Sequence, residues 1–396
     1  MLFFQNLERR AECELIKYKG IFRRKISLAE GVALLISGTV GAGVLGIPYA
    51  VAKVGVVYGL IYVVVLGLLM AGLHLLLAEV AASSCDNLQM VGLARTHLGK
   101  AGGLIMAVLS YVTIPAAMVV YIIGGGESLA ALLGGSSFVW SIIFWAVGTF
   151  LVVIGLRMIK VVDVVLSIGL LSVISIVSLM VAPHIRIEHM MYNDFAQLLF
   201  PYGVILFAFS GAAAIPETHA LLKGDRVTFK KAIIISSVLM IVLYAVFAFA
   251  VVGVTGRNTT EIATIGLGNA LGDGILLLGN IFAILAMGSG FLMGGVSVKD
   301  SLKWDYKFPP RFAGPVVCTV PLVIFLLGLR SFIGILDIVG GVLVSIELLL
   351  VTLIYWRARS KGLLLKRHYL HHALLLASVL LIAFTVGAVY SVAKLF

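Results

Sequence analysis

Apolar stretches long enough to cross a bilayer as a helix, about 20 residues each, recur along this chain with short polar segments between them. Eleven are predicted, at 28–50, 55–81, 102–133, 138–156, 161–182, 195–222, 229–253, 270–298, 313–329, 331–356 and 370–393. Arg330 alone separates the ninth from the tenth, which makes that boundary the weakest. The pattern predicts an all-α polytopic membrane protein.

Two of these spans carry breakers near their middle. The first reads GTVGAGVLGIP over residues 38–48, and the sixth reads FSGAAAIP over 209–216. A constant offset of 168 residues lays Gly43 on Gly211 and Pro48 on Pro216, and it carries spans two to five onto spans seven to ten. Five spans is an odd number, so the second copy is inverted across the membrane. The chain therefore divides into a segment 1–27, a five-helix repeat at 28–182, an inverted repeat at 195–356 and an eleventh helix at 370–393. Non-helical backbone at mid-membrane depth is tolerated only where protein or a water-filled cavity satisfies its polar groups. Gly-x-x-Gly spacing also serves close helix packing. A break matched in two halves favours a binding site made of free amides, free carbonyls and half-helix ends.

Composition agrees: 61% of the 396 residues are hydrophobic and 12% charged, and the mean hydropathy is +1.15, which excludes a water-soluble globule. With the amino terminus placed in the cytoplasm, 24 of the 29 Lys and Arg residues fall on the cytoplasmic side and five outside, at Lys53, Arg186, Arg257, Arg330 and Lys394. That bias is the one cytoplasmic loops carry, and it puts the carboxy terminus outside. The net charge of +11 then belongs to loops facing anionic lipid and requires no nucleic acid. Residues 1–27 precede a full-length span, so no cleavable signal is expected there. Cys13, Cys85 and Cys318 offer no disulfide framework.

The first-span stretch GTVGAGVLGIPYAVAKVG, the sixth-span LFAFSGAAAIPET, the eleven spans and the inside amino terminus resemble the amino acid/auxin permease family and the neighbouring bacterial aromatic and hydroxy amino acid permeases. Both belong to the amino acid, polyamine and organocation superfamily. The resemblance implies the leucine-transporter fold and secondary active transport of amino acids by alternating access. By position it places Thr39, Gly41, Ala42 and Gly43 around the substrate carboxylate, and Phe209, Ser210 and Gly211 around the amino group and side chain. Tyr111 stands for the third-span polar residue that members of this fold set near the carboxylate. The small, uncharged residues 210–214 imply a zwitterion with a neutral side chain, with room for branched or aromatic groups.

Ionisable groups inside a membrane are costly and mark function. Glu347 is the deepest acid, about 24 Å along a helix from the outer end of span ten and about 14 Å from its inner end. Glu217 and Glu79 lie closer to an interface, and Asp163 and Asp337 sit early in their spans, where a cap or a loop partner suits them. His74 reads as a buried histidine, and the cluster His368, His371 and His372 as an interfacial group. No cofactor is expected beyond a coupling ion, proton or sodium. In sodium-coupled members of the fold an ion sits between first-span carbonyls and paired hydroxyls of the eighth span. Here MGSGF (287–291) supplies Ser289 alone, which favours the proton with Glu347 as its carrier; sodium coupling or exchange is the alternative. A membrane enzyme would need clustered His, Asp or Cys, and a channel would need polar rings along a pore; neither pattern is present in the sequence. The oligomeric state is open.

Overall fold

The computed structural model describes residues 27–84, 88–154, 156–222, 225–305, 308–364 and 372–394. Residues 1–26 with Cys13, as well as Cys85, the side chain of Asp163, His368 and His371, lie outside the described residues. Each of the eleven predicted stretches is helical, and the described residues contain no strand. Among the described residues, seven helices are long and apolar enough to cross a bilayer on their own. The other four spans fall short for separate reasons. Span one divides into Leu28–Ser37 and Gly43–Val54, and span six into Pro201–Ala208 and Ala214–Leu222. Span nine, Pro310–Leu326, has 17 residues, and the first side chains of span five, Leu156–Val181, are outside the described set.

Local chemistry sets where the helices begin. Ser27 and Glu30 form a reciprocal capping box at span one, Asp225 caps span seven through the Thr228 amide, and Ser331 caps span ten through the Gly334 amide, each satisfying amides a helix start leaves open. The Ser331 cap fixes the weak boundary at Arg330. The Arg330 guanidinium lies over the rings of Phe138 and Phe325, at 5.1 and 5.3 Å. One correction concerns span three, whose helix runs from Met90 to Leu133 with a turn at Gly99, where φ is 82°. A side chain is strongly disfavoured at that angle. Residues 90–98 thus form a separate short helix that buries Met90, Val91, Leu93, Ala94 and His97 at helical spacing. Its charges at Arg95 and Lys100 give this segment the look of a loop.

Leu28 starts on what is called here the near face, and successive spans alternate between near and far. Val57, Ile61, Val64 and Leu68 of span two are exposed along one side at the helical period that faces lipid. Val63, Leu66 and Met70 on the opposite side are buried.

Span ten contains a π-helical segment, Val339–Val344, between Phe332–Ile338 and Ser345–Ser360. It crosses the first half of span six so closely that a Cβ on Gly340 would overlap the Gly203 carbonyl. The eleventh span braces this crossing. Tyr202 packs under Gly387 and Ser391 under Gly341, Tyr202 Oη is 2.8 Å from Ser345 Oγ, and Lys394 pairs with Asp337, giving Asp337 the partner its position suggested. Tyr202→Phe removes one buried hydrogen bond and is expected to cost about 1 kcal/mol, seen as a Tm a few degrees lower in detergent. Gly340→Val is expected to leave no monodisperse protein on size exclusion; a normal profile for it would contradict the close crossing.

Candidate functional site

The two breaks meet in the middle of the bundle and run antiparallel. A Cβ on Gly38 would lie 2.6 Å from Cβ of Ala214, and one on Gly43 would lie 2.5 Å from Cα of Ala208. Between them, Thr39 Oγ1 fills the space against Gly211. As numbers rise in the first break they fall in the second, as an inverted repeat requires. The prolines align as the sequence offset says, but the helix resumes at Gly43 in one copy and at Ala214 in the other, three residues closer to its proline.

The breaks leave polar backbone open. Amides of Thr39 and Val40 bond back to Ile36, and those of Phe209 and Ser210 to Ile205 and Phe207. Among the described residues the N–H groups of Gly41, Ala42 and Gly43, and of Gly211, Ala212 and Ala213, have no acceptor, while the carbonyls of Val40, Phe209 and Ser210 have no donor. Each run of free amides is the positive end of a half-helix, and the free carbonyls follow the negative end of its partner half.

A cavity of about 120 Å³ adjoins these groups, lined by both breaks and by spans three, eight and ten. That is space on the order of ten water molecules, the scale of one amino acid. From span three come Thr113, Ala117 and Tyr121, from span eight Gly290, Met293 and Ser297, and from span ten Glu347. Thr113 Oγ1 is buried with no hydrogen-bond partner, and a Cβ on Gly41 would lie 3.0 Å from the Tyr121 hydroxyl. Among the described residues the lining holds two carboxylates, Glu217 and Glu347, and no Lys or Arg. Glu217 accepts from Gln89 Nε2 at 3.5 Å.

The predicted residues distribute unevenly around this cavity. Thr39, Gly41, Ser210, Glu217 and Glu347 line it. Ala42 is fully buried behind them, and Gly43 and Gly211 are spent on the contact between the breaks. Phe209 lies off the lining and packs against Tyr244, with ring centroids 4.9 Å apart and the rings tilted by 53°. Tyr111 lies nearer the near face, 2.9 Å from Ser301 Oγ; the tyrosine on the cavity is Tyr121. Ser289 sits 3.0 Å from Ser37 Oγ and 3.4 Å from the Ser37 carbonyl, so the second hydroxyl sought on span eight is supplied by span one. Glu79 is buried in span two with His74, outside the lining. Sequence reasoning missed Tyr121, Thr113, Met293 and Ser297; the polar members of that set could have been found only by projecting spans three and eight on a fixed helical phase.

Two broken spans crossing beside a cavity that carries polar backbone, inside a bundle with a lipid-facing apolar surface, define the class as a multi-pass membrane protein with a site at its centre. The chain belongs to the tryptophan/tyrosine permease family, whose pattern it matches over residues 24–390. Of the two neighbouring families it resembles, the match is therefore to the bacterial aromatic permeases and not to the amino acid/auxin family. It is 26% identical over 353 residues to tyrosine-specific transport system 1 of Haemophilus influenzae, covering 83% of this chain and 88% of that one. It is 25% identical over 335 residues to glutamine transporter 2 of Aliivibrio fischeri, covering 80% and 86%. Among solved structures it superposes on MhsT in complex with L-phenylalanine with a TM-score of 0.69 at 13% identity, covering 95% of this chain and all of that one. It also superposes on the Eremococcus coleocola manganese transporter with a TM-score of 0.70 at 15% identity, covering 93% and 87%. The shared architecture is the leucine-transporter fold, and this chain is a secondary transporter of amino acids.

Packing separates two substitutions that look equivalent in sequence. Ala213→Leu puts bulk on the lining and is expected to abolish substrate uptake with a normal size-exclusion profile. Gly211→Leu drives into Thr39 and is expected to lower the folded yield as well. Equal yields for both would show that the breaks are not in contact.

Proposed function

We propose that this permease carries aromatic amino acids across the cytoplasmic membrane by alternating access, coupled to protons through Glu347. The observation that carries the substrate reading is the pairing of the free amide at Gly41 with the unbonded Tyr121 hydroxyl beside it, a set of donors suited to a carboxylate. On the other side, Ser210 Oγ donates to the Phe207 carbonyl at 2.6 Å, which leaves its lone pairs and the free carbonyls of Phe209 and Ser210 to accept from an ammonium. Thr39 Oγ1 donates to the Leu35 carbonyl at 2.8 Å, so it has no proton left for a carboxylate and acts as packing. The rings of Phe207 and Tyr121 and the Met293 thioether suit an aromatic side chain. A relative named as tyrosine-specific supports the same class; a relative named as a glutamine transporter makes glutamine the competitor to test.

The near face is the cytoplasmic one on the bias of Lys and Arg. Glu347 makes no hydrogen bond or ion pair among the described residues, and it lines the cavity where the substrate would sit. An unpaired acid there can bind and release a proton as water access alternates. Sodium is the second reading, favoured by the Ser37 and Ser289 hydroxyls gathered at the first break.

In proteoliposomes, unlabelled tyrosine, tryptophan or phenylalanine is expected to suppress labelled tyrosine uptake more strongly than glutamine; arginine, glutamate or glutamine outcompeting all three would refute the assignment. Glu347→Gln is expected to abolish substrate-driven proton movement while exchange of substrate persists. Unchanged proton movement in that variant, or uptake by the parent strictly dependent on a sodium gradient, would refute the coupling. Single cysteines at Ser136 and Asn258 are expected to react with an impermeant reagent on intact cells, and one at Ser360 only after permeabilisation; the reverse at Ser360 would invert the topology.

A further inference from the structure

Beyond the central cavity lies a second, smaller one of about 30 Å³ on its near-face side. The two share Ile114, Ala213, Ser297 and Glu347, so Glu347 forms part of both walls. The rest of the smaller wall includes Gln89, Ser110, Tyr111 and Ser301. Its volume holds about two waters, a quarter of the central cavity's, and no amino acid. Its polar side chains meet the need of a buried water for two to four partners, which is about the number that keeps such a site wet. At its edge the Tyr111 and Ser301 hydroxyls are 2.9 Å apart in a geometry where either can donate. Met90 and Gln89 on its wall belong to the start of the short near-face helix.

We propose that this second cavity is a water-filled proton route between Glu347 and the near face, separate from the path of the amino acid, with the Tyr111 and Ser301 hydroxyls as its terminal relay. The proposal rests on the reading of Glu347 as the proton carrier. The proton leaves the Glu347 carboxyl for a water in the small cavity, leaving a carboxylate. It passes along the hydroxyl pair as Tyr111 and Ser301 exchange donor and acceptor roles, and it arrives in bulk water; no bond to carbon changes and nothing is oxidised. Of the side chains lining either cavity, those that titrate are Glu217, Glu347, Tyr111 and Tyr121. Glu217 is held by Gln89 at the rim, so it stands beside this route, and Tyr121 belongs to the central cavity alone.

The test uses full-length protein in proteoliposomes and compares net substrate-driven proton uptake with substrate exchange, which needs no proton to leave the carrier. Ser110→Val fills the small cavity with two methyls in place of a hydroxyl, and Tyr111→Phe keeps the ring but breaks the relay. Each is expected to slow net uptake about tenfold, the scale of one lost hydrogen bond, to leave exchange unchanged, and to raise the solvent deuterium isotope effect on net uptake as the proton step becomes limiting. If both variants slow exchange and net uptake equally, or neither process, in a parent that does move protons with substrate, the route is overturned while Glu347 coupling stands. If the parent moves no protons with its substrate, the coupling reading fails and takes the route with it.

Discussion

The fold depends on one constraint: backbone unwound in the middle of a membrane must have its polar groups satisfied without lipid-facing gaps. Here the constraint is met by crossing the two breaks directly over one another. Gly38 meets Ala214, Gly43 meets Ala208, and Gly211 takes Thr39 against its open side. Only very small residues permit that approach, and this accounts for the run of glycine and alanine in both stretches. Close packing and a binding site, the two readings such stretches invite, are therefore not alternatives. Packing of one side of each break shields the backbone from lipid, while Thr39, Val40, Gly41, Ser210, Ala212 and Ala213 border the cavity on the other.

The second organising element is the widened turn in span ten. A helix advances about 100° per residue, so the extra residue of a π-turn rotates everything after it by roughly that amount. Val344, the last residue of the π segment, and Glu347 and Leu348 just after it line the cavity. Without the π segment at Val339–Val344 Glu347 and Leu348 would point elsewhere. The cross-links from Tyr202 to Ser345 and from Lys394 to Asp337 hold that segment from both sides. The eleventh span, outside the repeat by sequence, is thus tied to the geometry of the acid.

The large features were legible in the sequence because they follow from composition: span length, the two breaks, their offset and the depth of Glu347. What was not legible depends on helical phase. Tyr111 and Tyr121 lie ten residues apart on one helix, about 15 Å along its axis and about 80° apart around it. Nothing in the span's uniform hydrophobicity says which of those levels faces the breaks, and packing against Gly41 and Gly290 selects Tyr121. The break glycines failed in a related way. Gly41 and Gly43 look alike in the sequence, but one borders the cavity and the other is buried against Ala208. The helix at 90–98 was hidden by its charges, whose side faces away from the residues it buries.

In the proposed mechanism, charge balance joins the site to its energy source. A zwitterion would enter the cavity with no net charge: in the proposed pose its carboxylate is met by the amide at Gly41, and its ammonium by carbonyls at Phe209 and Ser210, all backbone groups without formal charge. None of these contacts compensates the Glu347 carboxylate, whose wall contains no Lys or Arg. An ionised acid in such surroundings is held at a cost of a few kcal/mol or more, so on this reading the loaded carrier closes more readily when a positive charge reaches Glu347 with the substrate. A proton on Glu347 supplies that charge without occupying space in a cavity sized for one amino acid. A sodium ion would have to supply it from the Ser37 and Ser289 corner, acting on Glu347 from a distance through low-dielectric protein. On the proposed reading, the acid's position on the wall of both cavities favours the proton, because its charge would be neutralised where the substrate binds.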